Sequence, residues 1–419
     1  MNLLRSTKAP QPNPLPQSVR YLNELRALDV LFREGRMSRA DLARALGLNR
    51  STTGSIIANL LAESLVIEQT NQKRAASETR TGRPGIDIEL NPSGAIFIGA
   101  GIEADRLTAL TIDLSGAIVS KKSAPYHVAR QSPEKTAEAV AKLINTLINA
   151  EPDKERVRGV CVALPAMLRD GIVLQATLLG WREVDLRSLI SAHLCMDVPV
   201  LIENDANAFA IAETYTGGSP AANTVAFILI DSGAGGGIIN GGRLLRGSDG
   251  LAGEFGHIVV GRRGYADGRG EPGALESFVG KDALLARYVA HGGDPLAELP
   301  DFVAALERSD RVALRTVADW GKWLARGLSM IINVLNPSVI IVGGPVGLLI
   351  RFVDSQVKAQ LQAALPRGYP FPNIEISRFG PEGPAYGGAL LLHQRAFSID
   401  EKALYGEGGG RGLFHALHG

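Results

Sequence analysis

Residues 231–257 read Asp-Ser-Gly-Ala-Gly-Gly-Gly-Ile-Ile-Asn-Gly-Gly-Arg-Leu-Leu-Arg-Gly-Ser-Asp-Gly-Leu-Ala-Gly-Glu-Phe-Gly-His. An apolar run of strand length, Thr224–Ile230, precedes them, so we expect the glycines where a strand turns out of a sheet. Glycine lets the backbone approach a ligand closely, and exposed amides in such a turn can hold an anion. Glu254 and His257 add a carboxylate and an imidazole that can bind hydroxyl groups. The stretch predicts a phosphate or sugar site, with a structural hairpin and a satisfied core histidine as the alternatives.

The composition is that of a soluble protein with two or three domains. The chain has 419 residues, of which 45% are hydrophobic and 21% charged, and its net charge is +1. This balance gives no overall reason to expect nucleic-acid or membrane binding, but residues 1–90 carry 13 Lys and Arg against 9 Asp and Glu. Two cysteines are too few for a disulfide framework or a four-cysteine zinc site. We therefore expect a cytoplasmic protein with a basic N-terminal part.

The N-terminal part has the pattern of a helix-turn-helix. Residues 19–32 place apolar side chains at helical spacing, residues 38–41 match a capping box, and Gly47 is expected to end the second helix. A third helix over residues 50–65 is apolar on one face and polar on another. Such a helix is expected to enter the major groove of DNA. The polar face consists of Arg50, Ser51, Thr52, Ser55 and Asn59.

Two short apolar runs, at residues 66–68 and 86–90, are predicted to be strands that flank the wing of a winged helix. Arg83, at the tip of the loop between them, is expected to enter a narrow minor groove, where the potential is strongly negative. A three-helix packing domain with a solvated basic loop is the alternative. The basic side chains of the predicted wing are Lys73, Arg74, Arg80 and Arg83.

From residue 91 onward, strands rich in Ile and Val alternate with longer helical stretches. A hairpin over residues 96–112, a helix over 133–148 and a strand at 157–163 form one unit, and a second unit begins near Thr224. This repetition predicts a duplicated α/β fold with a ligand cleft between its halves.

A buried strand at residues 200–203 is predicted to deliver Asn204 and Asp205 to the edge of a sheet. A carboxylate at a strand end that faces a cleft can accept a hydroxyl proton, so Asp205 is a candidate general base. The alternative is that Asp205 is the N-cap of the helix that follows.

Taken together, these segments resemble the ROK family (repressor, open reading frame, kinase), which unites sugar kinases with sugar-responsive transcription factors. The similarity covers nearly the whole chain and is most specific at residues 203–207, 233–237, 251–257 and 273–276. The resemblance implies an actin-like (ribonuclease H-like) fold, and in kinase members the residue that matches Asp205 is the catalytic base. The glycines that match a phosphate loop are Gly233, Gly235 and Gly237. The residues that match sugar-binding positions are Asn204, Asp205, Glu254, His257 and Glu276.

Two departures from the family pattern bear on catalysis and on zinc. Family kinases carry Asp-x-Gly-x-Thr in the first hairpin, whereas Gly101 stands about where that Asp should be and Glu103 would repel a triphosphate. After the histidine the family has Cys-x-Cys-Gly-x-x-Gly-Cys, whereas residues 267–274 read Asp-Gly-Arg-Gly-Glu-Pro-Gly-Ala. We therefore expect no enzymatic activity, no metal site and no ATP or zinc cofactor.

These observations predict a bacterial transcription regulator, a repressor, with four segments. They are a flexible arm (1–17), a winged helix-turn-helix (18–90) that binds operator DNA, an actin-like domain (91–400) that binds a small carbohydrate between two lobes, and a flexible tail (401–419). We expect a homodimer or homotetramer without membrane association. The alternatives are an ATP-dependent sugar kinase with an attached DNA-binding domain, and a regulator with a vestigial sugar pocket.

Overall fold

The computed structural model describes residues 16–70, 86–128, 131–215, 224–265 and 272–397. The chain divides into two compact units. Unit 1 consists of residues 1–96, 113–117 and 392–419, and unit 2 consists of residues 97–112 and 118–391. The tail at 401–419 and all but the last two residues of the arm lie outside the described residues. Within the described ranges, no helix combines the length and the apolar character needed to cross a membrane.

Unit 1 confirms the winged helix-turn-helix. Three helices are followed by a small antiparallel sheet with the strand order β1-β3-β2. The third helix ends at Ala62 rather than residue 65, because Ser64 adopts a left-handed conformation (φ 57°) that breaks the helix before the next strand. The elements are α1 (Pro16–Glu34), β1 (Met37–Ser38), α2 (Arg39–Leu46), α3 (Arg50–Ala62), β2 (Val66–Thr70) and β3 (Ile86–Leu90).

The turn between α2 and α3 follows from local sequence. Ser38 accepts a hydrogen bond from the Asp41 amide at 3.2 Å, which caps α2, and Gly47 ends the helix with φ 67°. The buried face of α2 carries Leu42, Ala43 and Leu46. These side chains pack in a small core with apolar residues of α1 and α3, as the periodicity predicts.

Two segments from far along the chain complete unit 1. The last helix supplies His393, whose ring lies 4.6 Å from that of Phe32 on α1, and Phe397 contacts both rings. His393 Nε2 donates a hydrogen bond to the Leu114 carbonyl at 2.9 Å. Burial lowers the pKa of His393 to about 4, so its imidazole is neutral at pH 7. A neutral ring can remain inside an aromatic cluster without a counterion.

Unit 2 contains two five-stranded sheets with the same topology. In the first, the strand order is β11-β7-β4-β5-β6, and in the second it is β14-β13-β12-β15-β16. Counted within each sheet, both have the order 3-2-1-4-5, which confirms the predicted duplication. The first sheet is built from β4 (Ile96–Ile102), β5 (Arg106–Asp113), β6 (Ile118–Pro125), β7 (Val157–Leu164) and β11 (Val200–Asn204). The second is built from β12 (Thr224–Ile230), β13 (Ala234–Asn240), β14 (Arg243–Leu244), β15 (Val339–Gly343) and β16 (Asn373–Ile376).

Helices accompany both sheets. The longest, α10, begins after Asp310, whose carboxylate accepts from the Ala313 amide at 2.8 Å, and its apolar face is buried around Trp320. The helices are α4 (Pro133–Ala150), α5 (Leu186–Ser191), α6 (Asp205–Tyr215), α7 (Glu276–Val279), α8 (Lys281–Ala290), α9 (Leu299–Glu307), α10 (Arg311–Leu335), α11 (Asp354–Ala364) and α12 (Gly383–Ala396). A smaller sheet consists of β8 (Met167–Arg169), β9 (Ile172–Ala176) and β10 (Trp181–Val184).

The predicted glycine turn at residues 233–237 is wrong in extent. The chain turns at residues 231–233, and Gly235 and Gly237 lie within β13, paired with Leu229 and Phe227 of β12. A Cβ at Gly237 would lie 2.7 Å from the Ala210 Cβ, and one at Gly235 would lie 3.1 Å from the Ala206 Cβ. Both glycines therefore allow α6 to pack directly on β13.

This close packing predicts that Gly237→Ala destabilises the protein by about 1–3 kcal/mol, because α6 must move away from β13 to admit a methyl group. Denaturant unfolding followed by circular dichroism measures the change. Gly54→Ala is the matched control, because a Cβ at this helical position meets nothing within 4 Å. That control should stabilise its helix by roughly 0.5–1 kcal/mol. An unchanged unfolding midpoint for Gly237→Ala would contradict the packing argument.

Candidate functional site

Unit 2 contains a cavity of about 450 Å³, a size typical of small-molecule sites. The five residues that the sequence singles out for sugar binding all line it, although they come from separate segments of the chain. They are Asn204, Asp205, Glu254, His257 and Glu276. The structure thus brings the five side chains together, and their role in binding remains a prediction.

The junction of β11 and α6 fixes Asn204. Its Oδ1 accepts from the Asn207 amide at 3.0 Å, and its Nδ2 donates to the Ala166 carbonyl at 3.1 Å. Asn204 is thus the residue that caps α6, and Asp205, the first helical residue, is not its N-cap. One carboxylate oxygen of Asp205, Oδ1, accepts a hydrogen bond from the adjacent Ala206 amide at 2.8 Å.

Burial and neighbouring charges alter the acidity of Asp205. Burial raises its pKa to about 7; the hydrogen bond from Ala206 opposes this rise, whereas Asp231 and Glu254 add to it. At neutral pH this carboxyl group exchanges between its protonated and ionised forms. It can accept a hydrogen bond from a ligand hydroxyl, and in the protonated form it can also donate one.

His257 lies among carboxylates on the opposite segment. A one-turn helix at Phe255–His257 places its Nε2 3.8 Å from the Glu254 carboxylate. Burial raises the pKa of both Glu254 and Glu276, and the nearby His257 counteracts the rise in each case. Glu254, Glu276 and His257 together offer two carboxylates and an imidazole, a set of groups suited to neighbouring hydroxyls of a polyol.

Further carboxylates that the sequence did not assign to a ligand complete the wall. Burial raises the pKa of Glu103 to about 7; Arg106 opposes the rise and Asp231 adds to it. One oxygen of Glu103, Oε1, is buried and has no hydrogen-bond partner. Asp231 directly follows β12 and begins the turn, so its position in the sequence was the signal that could have indicated it. The six lining carboxylates are Glu103, Asp205, Asp231, Glu254, Glu276 and Asp282.

An ion pair between the buried Glu203 and the partly exposed Arg246 joins two segments next to the cavity. Glu203 is 3% exposed; its Oε2 lies 2.6 Å from Arg246 Nη2, and its Oε1 accepts from the Asn204 amide. Arg246 belongs to the glycine-rich segment that leads to Glu254. The pair therefore connects the end of β11 to the loop that carries Glu254. In the sequence, the charged Glu203 at the end of a predicted buried strand was the signal that could have indicated this ion pair.

The other candidate surface is on α3. Thr53, Ile56, Ile57 and Leu60 are buried beneath it. Asn59 donates to Glu24 Oε1 at 2.7 Å, so its amide already has a partner within unit 1. The exposed predicted DNA-contacting residues are Arg50, Ser51, Thr52 and Ser55. The predicted wing residues Lys73, Arg74, Arg80 and Arg83 lie outside the described residues.

The donor set near His257 does not suit structural zinc. No cysteine occurs among residues 258–275. The acidic groups near His257 are the carboxylates of Glu254 and Glu276. In the part of the chain that the structure describes, no group of three His, Cys, Asp or Glu side chains could hold a metal ion. Thiolate ligands, which structural zinc sites favour, are missing from this segment.

Comparison with known proteins agrees with the two-part architecture. Residues 97–395 match the ROK family, and residues 22–67 match the winged helix-turn-helix DNA-binding family. The xylose repressor of Bacillus spizizenii is 26% identical over 387 residues, which cover 91% of this chain and 97% of the repressor. The glucokinase of Halalkalibacterium halodurans is 26% identical over 325 residues, 73% of this chain and 97% of that enzyme.

A solved structure of a ROK family transcriptional regulator, a homologue of the Escherichia coli MLC protein, superimposes with a TM-score of 0.76. It is 24% identical and covers 96% of this chain and 100% of its own, which establishes the common fold. The family match spans most of the chain and includes every residue that lines the cavity. The chain therefore belongs to the ROK family and joins a winged helix-turn-helix DNA-binding domain to a ROK domain.

Proposed function

We propose that this protein is a transcription regulator, acting as a repressor, that binds operator DNA through α3 and the wing and a small carbohydrate in the cavity of unit 2. The observation that carries the proposal is the presence, in one chain, of a winged helix-turn-helix and a polar cavity lined by the five residues for which the family resemblance predicts sugar binding. The similarity to xylose repressors supports the sign of regulation.

The surface of α3 suits the major groove. Its first turn exposes a guanidinium and three hydroxyl-bearing side chains follow on the same helix, while its apolar side chains are buried against the rest of unit 1. Side chains of these types bind phosphate oxygens and base edges. The basic excess of residues 1–90 adds attraction for the DNA backbone.

The charge of the cavity favours a neutral ligand over an anionic one. Six carboxylates line it, and the basic side chains that act on them are Lys281, Arg106 and His257. Sugar hydroxyls can donate hydrogen bonds to carboxylates, whereas a phosphate group would be repelled by them. A sugar without phosphate therefore fits the site better than a sugar phosphate or ATP.

The same charges support binding without catalysis as the proposed function. In a kinase, the site must hold a nucleotide triphosphate and place cations around the transferred phosphoryl group. Here Gly101 stands about where the family kinases carry an acid, and the carboxylate of Glu103 would repel a triphosphate. The alternative of a sugar kinase is favoured by the position of Asp205 in the cavity and by the similarity to glucokinases. Release of ADP with a sugar substrate, lost in Asp205→Asn, would establish that alternative.

We infer that ligand binding acts on the helices beside the cavity. Helix α6, which begins at Asp205, packs closely on α12, since a Cβ at Gly387 would overlap the Ala208 carbonyl. A sugar that binds one arrangement of these helices more tightly shifts the population toward it. Because the coupling is reciprocal, operator DNA must weaken sugar binding by the same factor.

Glu254→Gln tests the sugar site. It preserves the shape of the side chain but removes a charged acceptor, so we expect affinity for the sugar to fall about tenfold or more. Titration calorimetry measures this, with the sugar chosen by a thermal-shift screen of unphosphorylated pentoses, hexoses and amino sugars. Operator affinity without sugar should not change. The exposed Glu307→Gln is the matched control, and equal sugar affinities in both variants would refute the role of Glu254.

Arg50→Ala tests the DNA surface. Loss of one phosphate or base contact should weaken operator binding about tenfold, and loss of a phosphate contact should reduce the slope of log affinity against log salt by about one. Arg50 begins α3, where a positive charge opposes the helix dipole, so its removal should not lower stability. Fluorescence anisotropy with an operator selected from random duplexes measures both quantities. Arg182→Ala, an exposed arginine of unit 2, is the control, and identical salt slopes for the two variants would exclude the contact.

Glu103→Gln tests the charge of the cavity through the pH dependence of stability. The folded-state pKa of Glu103 is raised from 4.5 to about 7, so its ionisation costs free energy only in the folded protein. Below pH 4.5 the carboxyl group is protonated in both the folded and the unfolded protein, so the cost is absent. Above pH 4.5 the unfolded chain ionises first, and the folded protein loses stability until the pH has risen through 7. Wild type should therefore become less stable than the variant between pH 5 and pH 8, by at most about 3 kcal/mol. A difference that does not depend on pH would contradict the raised pKa.

A further inference from the structure

Tyr265 lines the same cavity, beside the six carboxylate side chains described above. Its backbone amide donates to the Ser277 carbonyl at 2.8 Å, so the ring stands beside the segment that carries Glu276. Its side chain is 38% exposed, a large fraction for an aromatic residue in a cavity wall. A ring in this position offers apolar surface to whatever occupies the cavity.

A buried arginine covers one face of the ring. The guanidinium carbon of Arg287, a residue that is 0% exposed, lies 4.2 Å from the centroid of Tyr265. This distance is that of a close cation–π contact. Arg287 is itself held by Asp319, whose carboxylate lies 3.0 Å from Nε, and by a hydrogen bond from Nη2 to the Phe278 carbonyl at 2.9 Å. The arginine therefore forms a fixed support behind the ring.

The edge and the hydroxyl of Tyr265 are occupied as well. The ring of Phe278 meets it edge-on, with centroids 6.4 Å apart and planes at 82°. The phenolic hydroxyl lies 3.4 Å from Asp319 Oδ2 and donates to it. Arg287, Phe278 and Asp319 thus fix the orientation of Tyr265, while 38% of the residue stays exposed. Because Tyr265 lines the cavity, a ligand can reach exposed surface of this residue.

We propose that Tyr265 is the stacking platform for the effector sugar. This inference rests on the function proposed above and narrows it. A sugar ring has hydroxyls along its edge and C–H groups on its faces, so hydroxyls can bind Glu254 and Glu276 while one C–H face packs on Tyr265. The site then selects an unphosphorylated ring sugar with an uninterrupted C–H face. An epimer whose axial hydroxyl projects from that face would lose the contact.

The support behind the ring makes the contact favourable. A tyrosine already held in one orientation loses little conformational freedom when a ligand packs on it. Arg287 and Asp319 act through Tyr265 and are positioning residues. The aromatic contact adds apolar burial that the six carboxylates cannot supply.

The first experiment compares Tyr265→Ala and Tyr265→Phe by titration calorimetry with the sugar that wild type binds. Tyr265→Ala should weaken binding about tenfold, because the apolar contact is lost, whereas Tyr265→Phe keeps the ring and should stay within about threefold. Phe371→Ala is the matched control, since Phe371 is also 38% exposed, lies in unit 2 and does not line the cavity. Operator affinity without sugar should be equal in all four proteins.

A second measurement separates stacking from a general structural effect. In saturation-transfer NMR, irradiation of aromatic protons should mark the C–H protons of one sugar face in wild type and Tyr265→Phe, and this preference should vanish in Tyr265→Ala. Discrimination against the epimer with an axial hydroxyl on that face should fall in the same variant.

The possible outcomes distinguish the two proposals. If wild type binds a sugar, and Tyr265→Ala binds it with the same affinity and the same epimer discrimination, the platform is wrong and the regulator stands. If wild type binds no sugar of the panel while the operator is bound, the sugar-responsive function fails, and the platform fails with it. Weaker binding by Tyr265→Ala with loss of the face preference supports both.

Discussion

The direct packing of α6 on β13 is the contact on which the cavity depends. Asp205 lies at the first turn of α6, and the strand beneath this helix follows the turn that contains Asp231. Gly235 and Gly237 remove the side chains that would otherwise separate helix and strand. Helix α6 also contacts α12 closely at Gly387. Because α6 is confined on both sides by backbone, the position of Asp205 is fixed by steric exclusion rather than by flexible side chains.

The charges that line the cavity reduce the stability of the folded protein when no ligand is bound. Six carboxylates face one space, and burial raises the pKa of most of them because the ionised forms lose hydration. Groups that reduce stability in this way are typical of binding sites, where a ligand supplies the missing hydrogen bonds. Hydroxyl donors relieve the unsatisfied acceptors, such as Glu103 Oε1, without adding negative charge.

Unit 1 is more than a winged helix. The turn at residues 113–117 and the end of α12 pack with α1, and the neutral His393 is hydrogen-bonded to Leu114 at the centre of this group. Both segments are distant from α1 in the sequence, since α1 ends at Glu34 and they begin at residues 113 and 392. Side chains from beyond residue 90 therefore belong to the same compact unit as the DNA-binding helices. The sequence has no local signal for this arrangement, because the packed residues are ordinary apolar and aromatic positions of other elements.

The amino-acid sequence by itself determined most of the secondary elements and the duplication, whereas the sugar positions that it indicates through the family resemblance stay a prediction. Caps such as Ser38, left-handed glycines such as Gly47 and apolar periodicity depend on neighbours within a few positions, so they can be read along the chain. Tertiary structure alone decided that Gly235 and Gly237 serve helix packing and that Asn204 rather than Asp205 caps α6. It also decided that Glu103, Asp231 and Tyr265 share a cavity. Their meeting depends on the order of strands in two sheets and on close contacts between helices, which no local pattern encodes.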